Sequence, residues 1–172
     1  VADSAKKDAA KADTTCAPAY GPDLLINDGT SDLGDGVYNT DATSQTVAHT
    51  TDPSVAVTYP IKLPNDGNTE DQYKVTGPAG NSDWQVQYLV HATSADITTD
   101  VTGAGWTSPS MARGEEVALD LKVTPLSGAD GNEVRSVLVT AASVADGAKK
   151  DAVKADTTCA PAYRPDMLIN DG

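Results

Sequence analysis

Phenylalanine is absent from the 172 residues, and cysteine, histidine, methionine and tryptophan occur only twice each. His49 and His91 lie 42 residues apart with no cysteine near either, a thin supply for a metal pair or a Ser-His-Asp arrangement, and both are expected to face solvent. No Gly-Lys-Ser/Thr phosphate loop, Gly-x-Ser-x-Gly elbow or Cys-x-x-Cys pair occurs, which removes common nucleotide, hydrolase and redox signatures. Basic residues are scarce: 12 Lys and Arg stand against 25 Asp and Glu, a formal net charge of −13. Nucleic acids and anionic membranes are bound through clustered Lys and Arg, so the composition excludes both as partners. No apolar run approaches the roughly 18–20 residues of a helical membrane span. No secretory leader is recognisable, and the opening Val1-Ala2-Asp3-Ser4 reads as the interior of something larger.

What is present is Thr, Asp, Val and Gly, a mixture suited to short strands and turns rather than to a helical bundle. The chain also repeats itself. Residues 1–29 read VADSAKKDAAKADTTCAPAYGPDLLINDG and residues 144–172 read VADGAKKDAVKADTTCAPAYRPDMLINDG. They differ at four positions: Ser4/Gly147, Ala10/Val153, Gly21/Arg164 and Leu24/Met167. The offset is 144 − 1 = 143 residues. Self-similarity at a fixed period is the mark of an array, so the simplest reading is a tandem repeat of period 143. The alternative is a single subunit whose similar ends do different jobs, one of them donated to a neighbour.

Alternating apolar residues predict strands along most of the chain. Leu24-Leu25-Ile26 opens the domain; Val55 to Leu63 follows, with Pro60 marking an edge or a bulge. Asp66-Gly67 favours a tight hairpin turn into a strand over Gln72 to Thr76. Trp84 to Val90, Asp96 to Val101, Glu116 to Val123 and Val134 to Ala142 complete the set, the last apolar enough to be central. Asp146-Gly147 predicts a hairpin into a weak strand over Lys149 to Asp156, whose lysines suit an exposed edge. Seven or more such strands predict an all-β, two-layer antiparallel sandwich.

Asn65-Asp66-Gly67, Asp71-Gln72-Tyr73-Lys74-Val75-Thr76-Gly77 and Met111-Ala112-Arg113-Gly114-Glu115-Glu116-Val117-Ala118-Leu119 resemble the turn-and-strand patterns of bacterial immunoglobulin-like surface repeats. The resemblance covers roughly residues 18 to 155. It implies an immunoglobulin-like sandwich in a secreted or cell-surface protein built of tandem stalk or filament modules, and no catalytic residues. On this reading residues 1–13 close the preceding repeat or are donated to a neighbour. Residues 14–19 are linker, 20–156 the sandwich, and 157–172 the linker and first strand of the next repeat. The expected function is a non-catalytic unit of an extracellular filament whose partners are other copies of itself; a calcium-dependent adhesin or a carbohydrate-binding module is the alternative.

The site candidates are few. Cys16 and Cys159 are one position in successive repeats, since 159 − 16 = 143. An odd cysteine per repeat leaves open a bond to another chain, a bond within a folded-back chain, or a free thiol. Asp28, Asp32 and Asp35 sit in the Gly-rich stretch 28–36 and could offer oxygen ligands to calcium, although turn chemistry explains the same residues. Tyr20, Leu24, Leu25 and Ile26, with their counterparts Tyr163, Leu168 and Ile169, are the expected contacts between repeats. Trp84 and Tyr88 share an apolar face with Val86 and are expected in the core, while Trp106 is the one ring expected to be available at the surface.

Overall fold

The computed structural model describes residues 8–162; the candidates Tyr163, Leu168 and Ile169 lie outside that range. Eleven strands and one short helix follow one another among the described residues. These are β1 (Leu25–Asn27), β2 (Asp32–Leu33), β3 (Thr46–Thr51), β4 (Val57–Pro64), β5 (Tyr73–Thr76), β6 (Trp84–Val90), β7 (Ala95–Asp96), α1 (Thr98–Thr102), β8 (Trp106–Thr107), β9 (Glu116–Pro125), β10 (Val134–Ser143) and β11 (Lys150–Cys159). They form two sheets, ordered β2-β1-β4-β9-β6-β7 and β3-β11-β10-β5-β8. Every pairing is antiparallel except that of β11 with β3, which is parallel.

Period-2 patterning builds the core. Tyr59, Ile61 and Leu63 of β4, Trp84, Val86 and Tyr88 of β6, and Leu119, Leu121 and Val123 of β9 alternate inward from the first sheet. Tyr73 and Val75 of β5, Val137, Val139 and Ala141 of β10, and Val153, Ala155 and Cys159 of β11 face them from the second. Each fully buried Val, Leu or Ile contributes on the order of 1.5–3 kcal/mol, so the alternation fixes both register and face.

Several expectations are corrected. The Asp66-Gly67 turn does not close a hairpin, because β4 and β5 lie in different sheets. Asn65 shapes this crossover instead: its Oδ1 accepts from the Gly67 N–H (2.9 Å) and the Tyr73 hydroxyl (2.6 Å), and its Nδ2 donates to the Met111 carbonyl at 2.8 Å. The stretch from Asp96 turns into α1, since Asp96 Oδ1 accepts from the Thr98 N–H at 2.9 Å and diverts the chain into a helical turn that buries Val101. Pro60 lies in an interior strand; it is tolerated because the short β1 pairs with β4 only at Ile61 and Lys62. His49 belongs to β3 and is half-buried, its ring centroid 5.3 Å from that of Tyr59. His91 is exposed and pairs with Asp120 at 3.0 Å. Trp84 and Tyr88 are buried, and Trp106 is half-buried against the core.

Candidate functional site

The duplicated segment picks out the position of interest. Its second copy is β11, which is no edge: it lies between β10 and β3. Nine residue pairs join it to β10, from Val134↔Thr158 to Ala142↔Lys150, and six join it to β3, from Lys154↔Thr46 to Cys159↔Thr51. Lys150, Asp151, Ala152 and Lys154 belong to residue types that strands disfavour; the two flanking strands supply the order that propensity does not. The strand also runs three residues past the expected boundary at Asp156, with Thr157 and Cys159 buried. The hairpin at Asp146-Gly147 does form, with the Lys149 N–H donating to the Asp146 carbonyl at 2.9 Å.

Side chains 151, 153, 155, 157 and 159 point inward, and the slot is polar at its first position. Asp151 is wholly buried. Its Oδ2 accepts from the Leu24 N–H (2.6 Å) and Gln45 Nε2 (3.1 Å), and its Oδ1 from the Asn39 N–H (3.0 Å). Burial pushes this carboxyl above the usual aspartate range, against the pull of the Asn39 and Leu24 hydrogen bonds. Midway, the Tyr59 hydroxyl lies 2.7 Å from Thr157 Oγ1 and donates to the Asp156 carbonyl at 3.1 Å. At the far end the Cys159 N–H donates to the Glu133 carbonyl (2.9 Å), and the Ala160 N–H to the Thr51 carbonyl (2.8 Å). Burial, with Glu133, Asp52 and Asp130 nearby, raises the pKa of the Cys159 thiol.

The first copy behaves differently. Residues 8–19 are exposed and form no strand. Their ordered attachment begins at Cys16: Asn68 Nδ2 donates to Cys16 Sγ (3.4 Å) and to the Ala17 carbonyl (3.0 Å). The Ala19 N–H donates to Asn68 Oδ1 at 2.7 Å, and the Asn68 N–H to the Ala19 carbonyl at 2.9 Å. Gly67 is required beneath this linker, because a Cβ there would sit 2.6 Å from the Ala19 carbonyl oxygen. Residues 16–19, expected to be linker, are therefore pinned to the sandwich. Cys16 is an exposed free thiol and Cys159 a buried one, and the two are not bonded to each other.

Of the expected contacts between repeats, Leu24 and Ile26 are wholly buried in the core of this sandwich, and Tyr20 and Leu25 are half-buried. Beside them Asp23 is buried, its Oδ2 accepting from the Gly36 N–H at 3.0 Å and its Oδ1 without a partner among the described residues. Burial lifts its pKa to about 6, the Gly36 bond opposing and the charges of Asp66, Asp151 and Asp35 assisting. The calcium candidates are spent separately. Asp28 closes its own turn, accepting from the Thr30 hydroxyl and N–H and from the Ser31 N–H, bonds that hold its pKa down to about 2. Asp32 binds Lys62 Nζ at 2.7 Å, and Asp35 is exposed. Among the described residues no three His, Cys, Asp or Glu side chains are placed to hold a metal, and no helix is long and apolar enough to cross a membrane.

Reading the sequence missed Asp151, Gln45 and Asn39. Asp151 had one signal, the inward parity it shares with Val153 and Ala155; nothing in the local sequence marks Gln45 or Asn39.

No family model matches the chain, and no curated protein sequence matches it. Among solved structures it is similar to a family 123 glycoside hydrolase from Clostridium perfringens, with a TM-score of 0.52 and 8% identity over 84% of this chain. The chain spans only 28% of the length of that hydrolase. Weaker likenesses include PapD-like domain 7 of human CEP192 (TM-score 0.46, 9% identity, 92% of this chain and 99% of that one) and BcpA, the major pilin subunit of Bacillus cereus (TM-score 0.39, 12% identity, 84% and 40%). At such identities the first likeness speaks for the fold alone, and the other two carry no argument. The class defined by the two sheets is that of an immunoglobulin-like β-sandwich.

Proposed function

We propose that this chain is a building unit of an extracellular or cell-surface fibre or stalk, laid in series with other copies of itself and performing no catalysis. The observation that carries this reading is the 143-residue recurrence of a segment whose second copy is a core strand. A segment that completes one sandwich recurs immediately before the first strand of a sandwich, which is the order a serial array requires. Chain direction supports it as well. The polypeptide comes in beside Asp151, through Leu24, and leaves after Cys159. Eight residues of strand at ~3.3 Å each put these points about 26 Å apart, at opposite ends of β11. The Asn68 hydrogen bonds to the linker would hold successive units at a defined angle, and the charge of −13 would keep arrays from collapsing side by side.

The test is to stretch single molecules of protein carrying consecutive copies. Each unit should give way as one event releasing about 45 nm of chain, from 143 residues at ~3.3–3.6 Å each less the folded length. Events without a constant increment, or flanking sequence with no further copies at this spacing, would overturn the reading.

A further inference from the structure

We infer that residues 8–16 form a strand made to fill the β3–β10 slot of a second copy of this chain, in the place β11 takes in its own. The inference rests on the serial reading above and names the contact that would join the units. Position by position the match is close. Asp8, Ala10, Ala12, Thr14 and Cys16 stand for the inward residues Asp151, Val153, Ala155, Thr157 and Cys159. Asp8 would bring the one carboxylate that the Leu24 N–H, the Asn39 N–H and Gln45 Nε2 require at the head of the slot. Thr14 would bring the hydroxyl that meets Tyr59. Thr15 and Lys11 repeat the outward residues, so neither face of the strand would change character.

One inward position differs. Ala10 lacks the two methyl groups that Val153 buries completely, so the arm fills the slot less well than the chain's own strand. Val153 also arrives on a short hairpin, which makes its insertion intramolecular. Both effects explain why β11 holds the slot here while the arm lies exposed, and both vanish once β11 cannot seat. The slot is then a site for strand addition, in which main-chain bonds supply affinity and the inward pockets supply choice.

The experiment uses the full 172-residue chain carrying Ala155→Arg, which puts a guanidinium at a fully buried position of β11 and leaves Ala12 of the arm intact. Light scattering, together with thiol labelling resolved by peptide mapping, reads the result. The unaltered chain should label at Cys16 and not at Cys159. The variant should form oligomers that grow with concentration, with the labelling reversed: Cys159 displaced and reactive, Cys16 buried in a neighbour. Ala12→Arg added to Ala155→Arg should abolish the oligomers and the protection of Cys16, while Cys159 stays reactive.

If Ala155→Arg does not fold alone, a synthetic peptide of residues 1–20 should restore a folded one-to-one complex. An Ala10→Val peptide should bind roughly tenfold more tightly, and an Asp8→Ala peptide at least about a hundredfold more weakly, because three donors lose their acceptor. A variant that remains unfolded with every peptide would overturn the inference. So would a folded monomer that keeps Cys159 protected and takes up no peptide, since an arm unable to displace a strand with a buried arginine does not fit the slot. Either failure would leave the constant increment on stretching untouched, so the serial reading stands or falls separately.

Discussion

Residues 8–16 and 151–159 are the same sequence but for one methyl-bearing position, yet one copy is solvent-exposed coil and the other the second strand of a five-stranded sheet. The pair isolates what tertiary context contributes. Most of Asp-Ala-Ala/Val-Lys-Ala-Asp-Thr-Thr-Cys is of types that strands disfavour, the threonines and Val153 excepted, and an unpaired strand cannot meet its main-chain bonding needs except with water. Between β10 and β3 those needs are met on both sides, and Asp151, Tyr59 and the core fix the register. Conformation here belongs to the slot, and the sequence contributes the ability to fit it.

The same substitution made in each copy should affect the two very differently. Asp151→Ala leaves the Leu24 N–H, the Asn39 N–H and one of the two Gln45 Nε2 hydrogens without an acceptor, the other still reaching the Leu24 carbonyl at 2.9 Å. Unpaired buried donors cost about 1–3 kcal/mol each, so with partial relaxation a loss of about 3–5 kcal/mol is expected in urea denaturation. Asp8→Ala in the isolated chain should leave stability unchanged. Equal losses from the two would mean that the arm already occupies a slot under the conditions of measurement, and dilution would then lower the midpoint.

The second contrast is the single inward difference. Val153→Ala removes two buried methyl groups and should cost about 1.5–3 kcal/mol, measured by the same denaturation. Ala10→Val adds them to an exposed segment and should change nothing in dilute solution. At high concentration it should instead promote association, because it removes the packing disadvantage of the arm and concentration offsets the intermolecular one.

The fold was largely legible because period-2 alternation survives in the long strands: Tyr59 to Leu63, Trp84 to Tyr88 and Leu119 to Val123 face inward as their spacing predicts. What could not be read was which strands are neighbours. Asp66-Gly67 is a turn signal of local origin, and whether a turn joins two strands of one sheet or crosses between sheets is decided by contacts such as Asn65 to Met111 and Tyr73 to Gly21, 46 and 52 residues apart. The lysines at 150 and 154 suit an exposed edge, but outward lysines on a covered strand only require that the face, not the edge, be wet. The position of Leu24 and Ile26 just after the expected linker suggests a junction between repeats, while their alternation with Leu25 is the signal that they belong to the core. The slot itself was half visible: the 143-residue recurrence is unmistakable, while the donors that hold Asp151 come from three separate segments.

Calcium should have no effect on the isolated unit. With Asp28 committed to its own turn and Asp32 to Lys62, the melting midpoint in calcium should match that in chelator, since only a ligand that prefers the folded state moves it. A rise in calcium would point instead to a site assembled between units, and it should then depend on protein concentration.

A small shift is expected at Asp23, which lies next to Leu24 at the head of the slot. Its carboxyl is lifted from 3.8 to about 6, chiefly by burial. Between those values the folded chain keeps a proton that the unfolded chain has released, so stability falls as pH rises through that window and the loss is complete above about pH 6. Asp23→Asn keeps an oxygen for the Gly36 N–H, supplies hydrogens to a carboxylate-rich neighbourhood, and cannot ionise. The variant should melt about 2 °C higher than the unaltered chain at pH 8 and at the same temperature at pH 4, where both side chains are neutral in the fold. The same substitution should raise the midpoint of an assembled array no more than that of the single unit, because Asp23 touches the slot from inside its own domain and has no counterpart in the arm.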